Sequence, residues 1–101
     1  MARTFVTVEL VGAKDKTHQR FWTAMRKRGF ARTMRGQPSR RTLRLPDGVY
    51  WISKLTPREA LELTREAVRT TKVEARIFCL PVKGDVRFGN LKFDDVAEPV
   101  A

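Results

Sequence analysis

Hydrophobic period switches from two to nearly four and back again, twice, along this sequence, and few small folds accept that order. Thr4-Phe5-Val6-Thr7-Val8-Glu9-Leu10 alternates strictly, with Val6, Val8 and Leu10 on one face and Phe5, Thr7 and Glu9 on the other, the pattern of a strand with one face in a core. A helix follows, from an expected cap at Asp15 to about Arg28, ending at Gly29, the residue type that tolerates a left-handed C-terminal position. His18, Phe21, Trp22 and Met25 form its apolar stripe, and Lys16, Arg20, Thr23 and Lys27 its polar side. Phe30 to Met34 reads as a second strand, Gly36 to Ser39 as an interruption, and Arg41 to Leu45 as a return to extended chain. Leu45-Pro46-Asp47-Gly48 is a tight turn by composition, and Val49 to Lys54 the next strand.

Thr56-Pro57-Arg58-Glu59 is a helix start with a capping box, and Ala60, Leu63 and Ala67, flanked by Leu61 and Val68, give that helix its buried side. Val73 to Leu80 alternates again, with Val73, Ala75, Ile77 and Cys79 opposed to Glu74, Arg76, Phe78 and Leu80, and Pro81 is expected to end it. Two short pieces around Gly89-Asn90, between Asp85 and Phe93, suit an edge hairpin or a strand added to a partner subunit. The expected fold is therefore α+β, a ferredoxin-like βαββαβ domain over residues 1–93 with a tail at 94–101. Its antiparallel sheet carries both helices on one face and a short C-terminal edge strand or hairpin. At 101 residues there is room for one small core and no separate substrate domain.

The other sheet face is expected to be open, with Phe5, Thr7 and Glu9 beside either Tyr50 and Ile52 or Val49, Trp51 and Ser53, depending on register. Aromatics there would suit stacking on unpaired bases, yet no stretch carries the basic-Gly-aromatic signature of the RNA-recognition motif. A dimer interface, or a second small core under the C-terminal segment, explains the same aromatics.

Charge narrows the function. The chain carries a formal net charge of +10, and the segment from Lys14 to Arg44 holds eleven basic residues against the single acid Asp15, while the remainder balances. Such segregation is an electrostatic footprint for a polyanion, nucleic acid first. Lys16, Arg20 and Lys27 on the first helix, with Arg35, Arg40, Arg41 and Arg44 around the interrupted strand pair, are the expected phosphate contacts, since the arginine fork matches phosphate oxygens. No apolar run approaches the roughly 20 residues of a membrane span, and the alternating N-terminus lacks a signal-peptide core, so a cytoplasmic protein without a membrane partner is expected. Single Cys79 excludes an internal disulfide and reads as a core residue; without a Cys/His cluster, no zinc or other cofactor is expected.

Catalytic candidates are few. A metal-free ribonuclease needs a general base near the 2′-hydroxyl and cations on the phosphate. His18, the sole histidine, is the candidate base, with Arg32 and Arg41 as cations. Glu9 is the carboxylate of the open face, where a dimer would bring two copies together. The bland account of His18, a packed helix residue at the edge of the apolar stripe, competes with the catalytic one.

The run Thr7-Val8-Glu9-Leu10 with Gly12-Ala13, then Ala24-Met25, Gly29-Phe30-Ala31-Arg32-Thr33-Met34 and Leu45-Pro46 before Tyr50, resembles small bacterial proteins of the GhoS family over roughly residues 3–93. Members are single ferredoxin-like domains similar in shape to the small CRISPR-adaptation nuclease subunit, and the founding member is an endoribonuclease antitoxin. The resemblance implies a ribonuclease or RNA-binding role; with the charge segregation, the leading expectation is a homodimeric RNA-binding protein, with a sequence-tolerant endoribonuclease of toxin–antitoxin type as its enzymatic form. The alternatives are a non-enzymatic nucleic-acid-binding or phage-type accessory protein, or a protein–protein adaptor using its basic face.

Overall fold

The computed structural model describes residues 3–35 and 42–83, with the backbone alone at Arg35. The expectations for Arg40, Arg41, the 85–93 hairpin and the 94–101 tail lie outside these residues. Strand β1 (Arg3–Val11) runs down the middle of a three-stranded antiparallel sheet, between β4 (Val49–Ser53) and β5 (Glu74–Val82). Helices α1 (Asp15–Lys27) and α2 (Pro57–Thr71) pack against one another on one side of the sheet. They cover Val6 and Val8 of β1 and Tyr50 and Ile52 of β4, and the core between them is filled by Phe21, Ala24, Met25, Ala60 and Ala67. Among the described residues no helix is long and apolar enough to cross a membrane.

The second helix starts as its sequence dictates. Thr56 Oγ1 accepts from the Glu59 N–H at 3.2 Å while the Thr56 N–H donates to Glu59 Oε1 at 2.9 Å, a reciprocal capping box with Pro57 in the first turn. The first helix starts differently. Its cap is Lys14 and no side chain caps it; Asp15 is instead the first helical residue, where its charge favours the positive end of the helix dipole. Its other end is as expected, with Gly29 at φ +92° and the Gly29 and Phe30 amides donating to the Arg26 and Met25 carbonyls. Two polar side chains join the buried face of α2. Thr64 and Thr71 return their hydroxyls to the carbonyls of Ala60 and Ala67, at 2.8 and 2.9 Å, so their burial leaves no donor unsatisfied.

Strand pairing decides the register left open by alternation. Phe5 lies opposite Trp51 and Val6 opposite Tyr50, so Trp51 shares the face of Phe5, and Tyr50 points to the helices. That second face is not open at Phe5. Strands β2 (Thr33–Arg35) and β3 (Thr42–Arg44) pair antiparallel as a small hairpin on this side, where Phe5, Ala31, Met34, Leu45 and Trp51 are buried in a second small core. The Trp51 indole N–H donates to the Thr33 carbonyl at 2.7 Å and fastens the hairpin to β4. Base stacking on Phe5 and Trp51 is thereby excluded: both rings are interior, packed with Ala31, Met34 and Leu45.

The outer side of β4 is bridged antiparallel to Ala31 by paired hydrogen bonds with Trp51, of 2.8 and 2.9 Å. Phe30 to Met34 is thus not one strand: Ala31 bridges to β4 and the chain then leaves the sheet at Thr33 to pair with β3. Nor does Pro81 end β5. The Val8 N–H donates to Gly48 on the β4 side, so even-numbered residues of β1 face β4. Pro81, paired with Thr4, therefore turns its ring nitrogen away from β1, and a missing N–H costs the ladder nothing there.

Candidate nucleic-acid interface

Helix α1 sets out its cations at helical spacing. Lys16, Arg20 and Lys27, at i, i+4 and i+11, fall on one stripe that also holds Thr23, and all are exposed. With Arg28 they line a groove of about 600 Å³ between α1 and the end of α2, whose floor is made by Ala24, Thr70 and Thr71. Small residues at the floor let the two helices approach while the long side chains stand as walls. Arg28 is the one held in place: its guanidinium donates to the Ala24 carbonyl at 2.9 Å and to Thr70 Oγ1 at 3.3 Å. Among the described residues, no carboxylate lines the groove. Four like charges facing one channel repel each other, and an anion in the channel relieves that repulsion.

On the other flank of α1 lies a second concavity, of about 710 Å³. His18 and Trp22 of α1, Tyr50 of β4, Arg32, and Asp47 in the turn before β4 all line it. The Arg32 guanidinium carbon stands 3.8 Å from the centroid of the Trp22 ring, with that of Arg26 at 5.8 Å, so the indole carries two cations. Tyr50 is fixed by an edge-to-face contact with Phe21, centroids 6.0 Å apart. Gly48 closes the turn at φ +83° and its carbonyl accepts from the Val8 N–H at 2.7 Å, which brings Asp47 to the rim. Gln19 and Thr23 border both concavities, so the two are neighbours across a single helical ridge.

Of the candidate catalytic residues, His18 and Arg32 are brought to the same concavity, and His18 is exposed rather than packed as a core residue. Glu9 is not brought there. It lies on the opposite face of the sheet, where Arg76 Nη1 donates to Glu9 Oε1 at 2.8 Å. Arg41 lies outside the described residues. Of the residues expected to contact phosphate, Lys16, Arg20 and Lys27 share one groove, whereas Arg44 sits partly buried on β3 opposite Thr33 in the hairpin. Arg35 is described only as backbone, paired with Thr42, and Arg40 lies outside the described residues. Reading the sequence missed Arg28 as a groove residue and Trp22 as a cation platform; Trp22 and Arg26, at i and i+4, were the local signal for the second. Cys79 is half-buried against the main core and burial pushes its thiol pKa up, which disfavours the reactive thiolate.

Neither a protein-family model nor a curated protein matches this chain significantly.

Proposed function

We propose that this protein binds RNA along the α1 face, with Lys16, Arg20, Lys27 and Arg28 on the phosphates, and that it is an endoribonuclease of the type its resemblance to the GhoS family implies. The observation that carries the binding is the groove with four cations and no carboxylate in its lining. Contacts of this kind position a backbone without reading its sequence, in keeping with a sequence-tolerant partner. Support for a ferredoxin-like arrangement comes from the Ala31–Trp51 bridge on the outer side of β4, which adds a fourth extended segment parallel to β1. Cleavage draws on His18 as general base and Arg32 as phosphate cation, two groups lining one concavity. Two copies would meet through the part of the sheet that the described residues leave uncovered, where Phe78 is 65% exposed and the charges of Glu9 and Arg76 offset one another.

A non-enzymatic nucleic-acid-binding role is the second reading. It is favoured by the separation of Glu9 from His18, which leaves the concavity without that carboxylate.

Titration of a labelled single-stranded RNA by fluorescence anisotropy tests the binding. Four phosphate contacts predict an affinity about 50-fold weaker at 200 mM than at 50 mM salt, and about 7-fold for the Lys16→Ala, Arg20→Ala double variant. An affinity indifferent to salt overturns the reading. Incubation of the same RNA in magnesium and in chelator separates the two readings: scission that His18→Ala abolishes supports the enzyme, and intact RNA in both buffers leaves the binding module.

A further inference from the structure

The second concavity has a chemistry that phosphate binding alone does not use. Its lining combines a guanidinium held over an indole, a histidine, a tyrosine and the acids Asp15 and Asp47, and its volume falls within the roughly 300–1,000 Å³ of pockets that bury small ligands. A phosphate needs neither the Trp22 plane nor the carboxylate of Asp47. A heterocyclic base needs both kinds of group: a planar surface to stack on, and donors and acceptors for its edge. Only the ridge of Gln19 and Thr23 divides this concavity from the cationic groove. Thr23 is short, and its hydroxyl is turned back to the Gln19 carbonyl at 2.9 Å rather than standing out between the two.

We propose that the concavity between α1 and β4 seats one unpaired base, stacked on the Trp22–Arg32 pair, of a strand whose phosphates lie in the neighbouring groove. The assignment rests on the RNA-binding reading and deepens it, because it makes the substrate single-stranded: a base inside a duplex is stacked and paired and does not enter a pocket. His18, Gln19 and Asp47 then meet the edge of the base, and Arg32 has two tasks, presenting a stacking plane and neutralising the adjacent phosphate. Lysine at position 32 would keep the charge and lose the plane.

Three labelled 12-mers of equal length test this with the full chain: a single-stranded RNA, the same RNA as a duplex, and an abasic backbone with the same phosphates. Anisotropy is expected to show the single strand bound on the order of tenfold more tightly than the abasic backbone, the factor one stacked base supplies. Only the base-bearing strand is expected to quench Trp22 emission, identified as the part of the signal missing from Trp22→Leu, while buried Trp51 holds a constant background. Arg32→Lys should remove most of the tenfold preference of the base-bearing strand over the abasic one, whereas Arg20→Ala with Lys27→Ala should weaken both oligomers in parallel. Equal binding of the base-bearing and abasic strands, or tighter binding of the duplex, overturns the base pocket while the groove stands. Failure of all three oligomers to bind at 50 mM salt overturns the groove and the pocket together.

Discussion

Gly48 joins two requirements in one residue. Its φ of +83° belongs to the region where a side chain is strained, and a Cβ built on it would stand 2.5 Å from the Val8 carbonyl oxygen. Gly12 has a similar φ of +67° with nothing within 4 Å, so the pair separates backbone strain from steric exclusion. Gly12→Ala is expected to cost about 1 kcal/mol by strain alone. Gly48→Ala should cost about 2–4 kcal/mol, because the turn must also move off β1. Urea unfolding of the two variants measures the difference; equal costs would mean that the turn yields without resistance. Since Asp47 and Gly48 border the second concavity, the costlier variant should also disturb its rim.

Elements differ in how much of their structure is written locally. The start of α2 was legible because every participant lies within four residues: Thr56 and Glu59 exchange hydrogen bonds, and this holds the Glu59 carboxyl below the usual carboxylate range, the backbone bond from Thr56 being the larger cause. A carboxyl lowered by folding contributes stability that is present above its unfolded pKa and lost as pH falls through the folded one. Thermal midpoints from pH 7 to pH 3 should therefore decline less steeply in Glu59→Gln than in the parent, with the two curves converging at the acid end. Parallel curves would show that the box does not discriminate the charged form. The β2–β3 hairpin was the opposite case. Alternation in β1 separated Val6 and Val8 from Phe5 correctly, but it says only that a strand has two faces, not what covers the second. The cover comes from Ala31, Met34 and Leu45, and the pairing of Phe5 with Trp51 that selects it spans more than forty residues of chain. The same limit applies to His18, whose helical spacing placed it near the apolar stripe while tertiary packing left it exposed.

For the whole molecule, regional charge was legible and its convergence was partly so. Helical spacing put Lys16, Arg20 and Lys27 on one face, and the approach of α2 then made that face a groove and recruited Arg28, which periodicity had left outside it. A net charge of +10 makes opposite demands on folding and on binding. Screening weakens the mutual repulsion of the groove cations, so the thermal midpoint should rise between 20 and 200 mM salt in the free protein, over the range in which RNA affinity falls. Differential scanning fluorimetry checks the sign. A midpoint that drops with salt would mean that attraction between opposite charges, as in the Glu9–Arg76 and Glu62–Arg65 pairs, outweighs repulsion.

Pro81 carries a consequence for growth of the sheet. With odd-numbered residues of β5 facing outward, Ala75, Ile77 and Cys79 offer amide hydrogens away from β1, and the next position in the series offers a pyrrolidine ring. A ribbon docking along that margin would find three rungs and then a blank, so among the described strands β5 carries its own terminator against lateral growth.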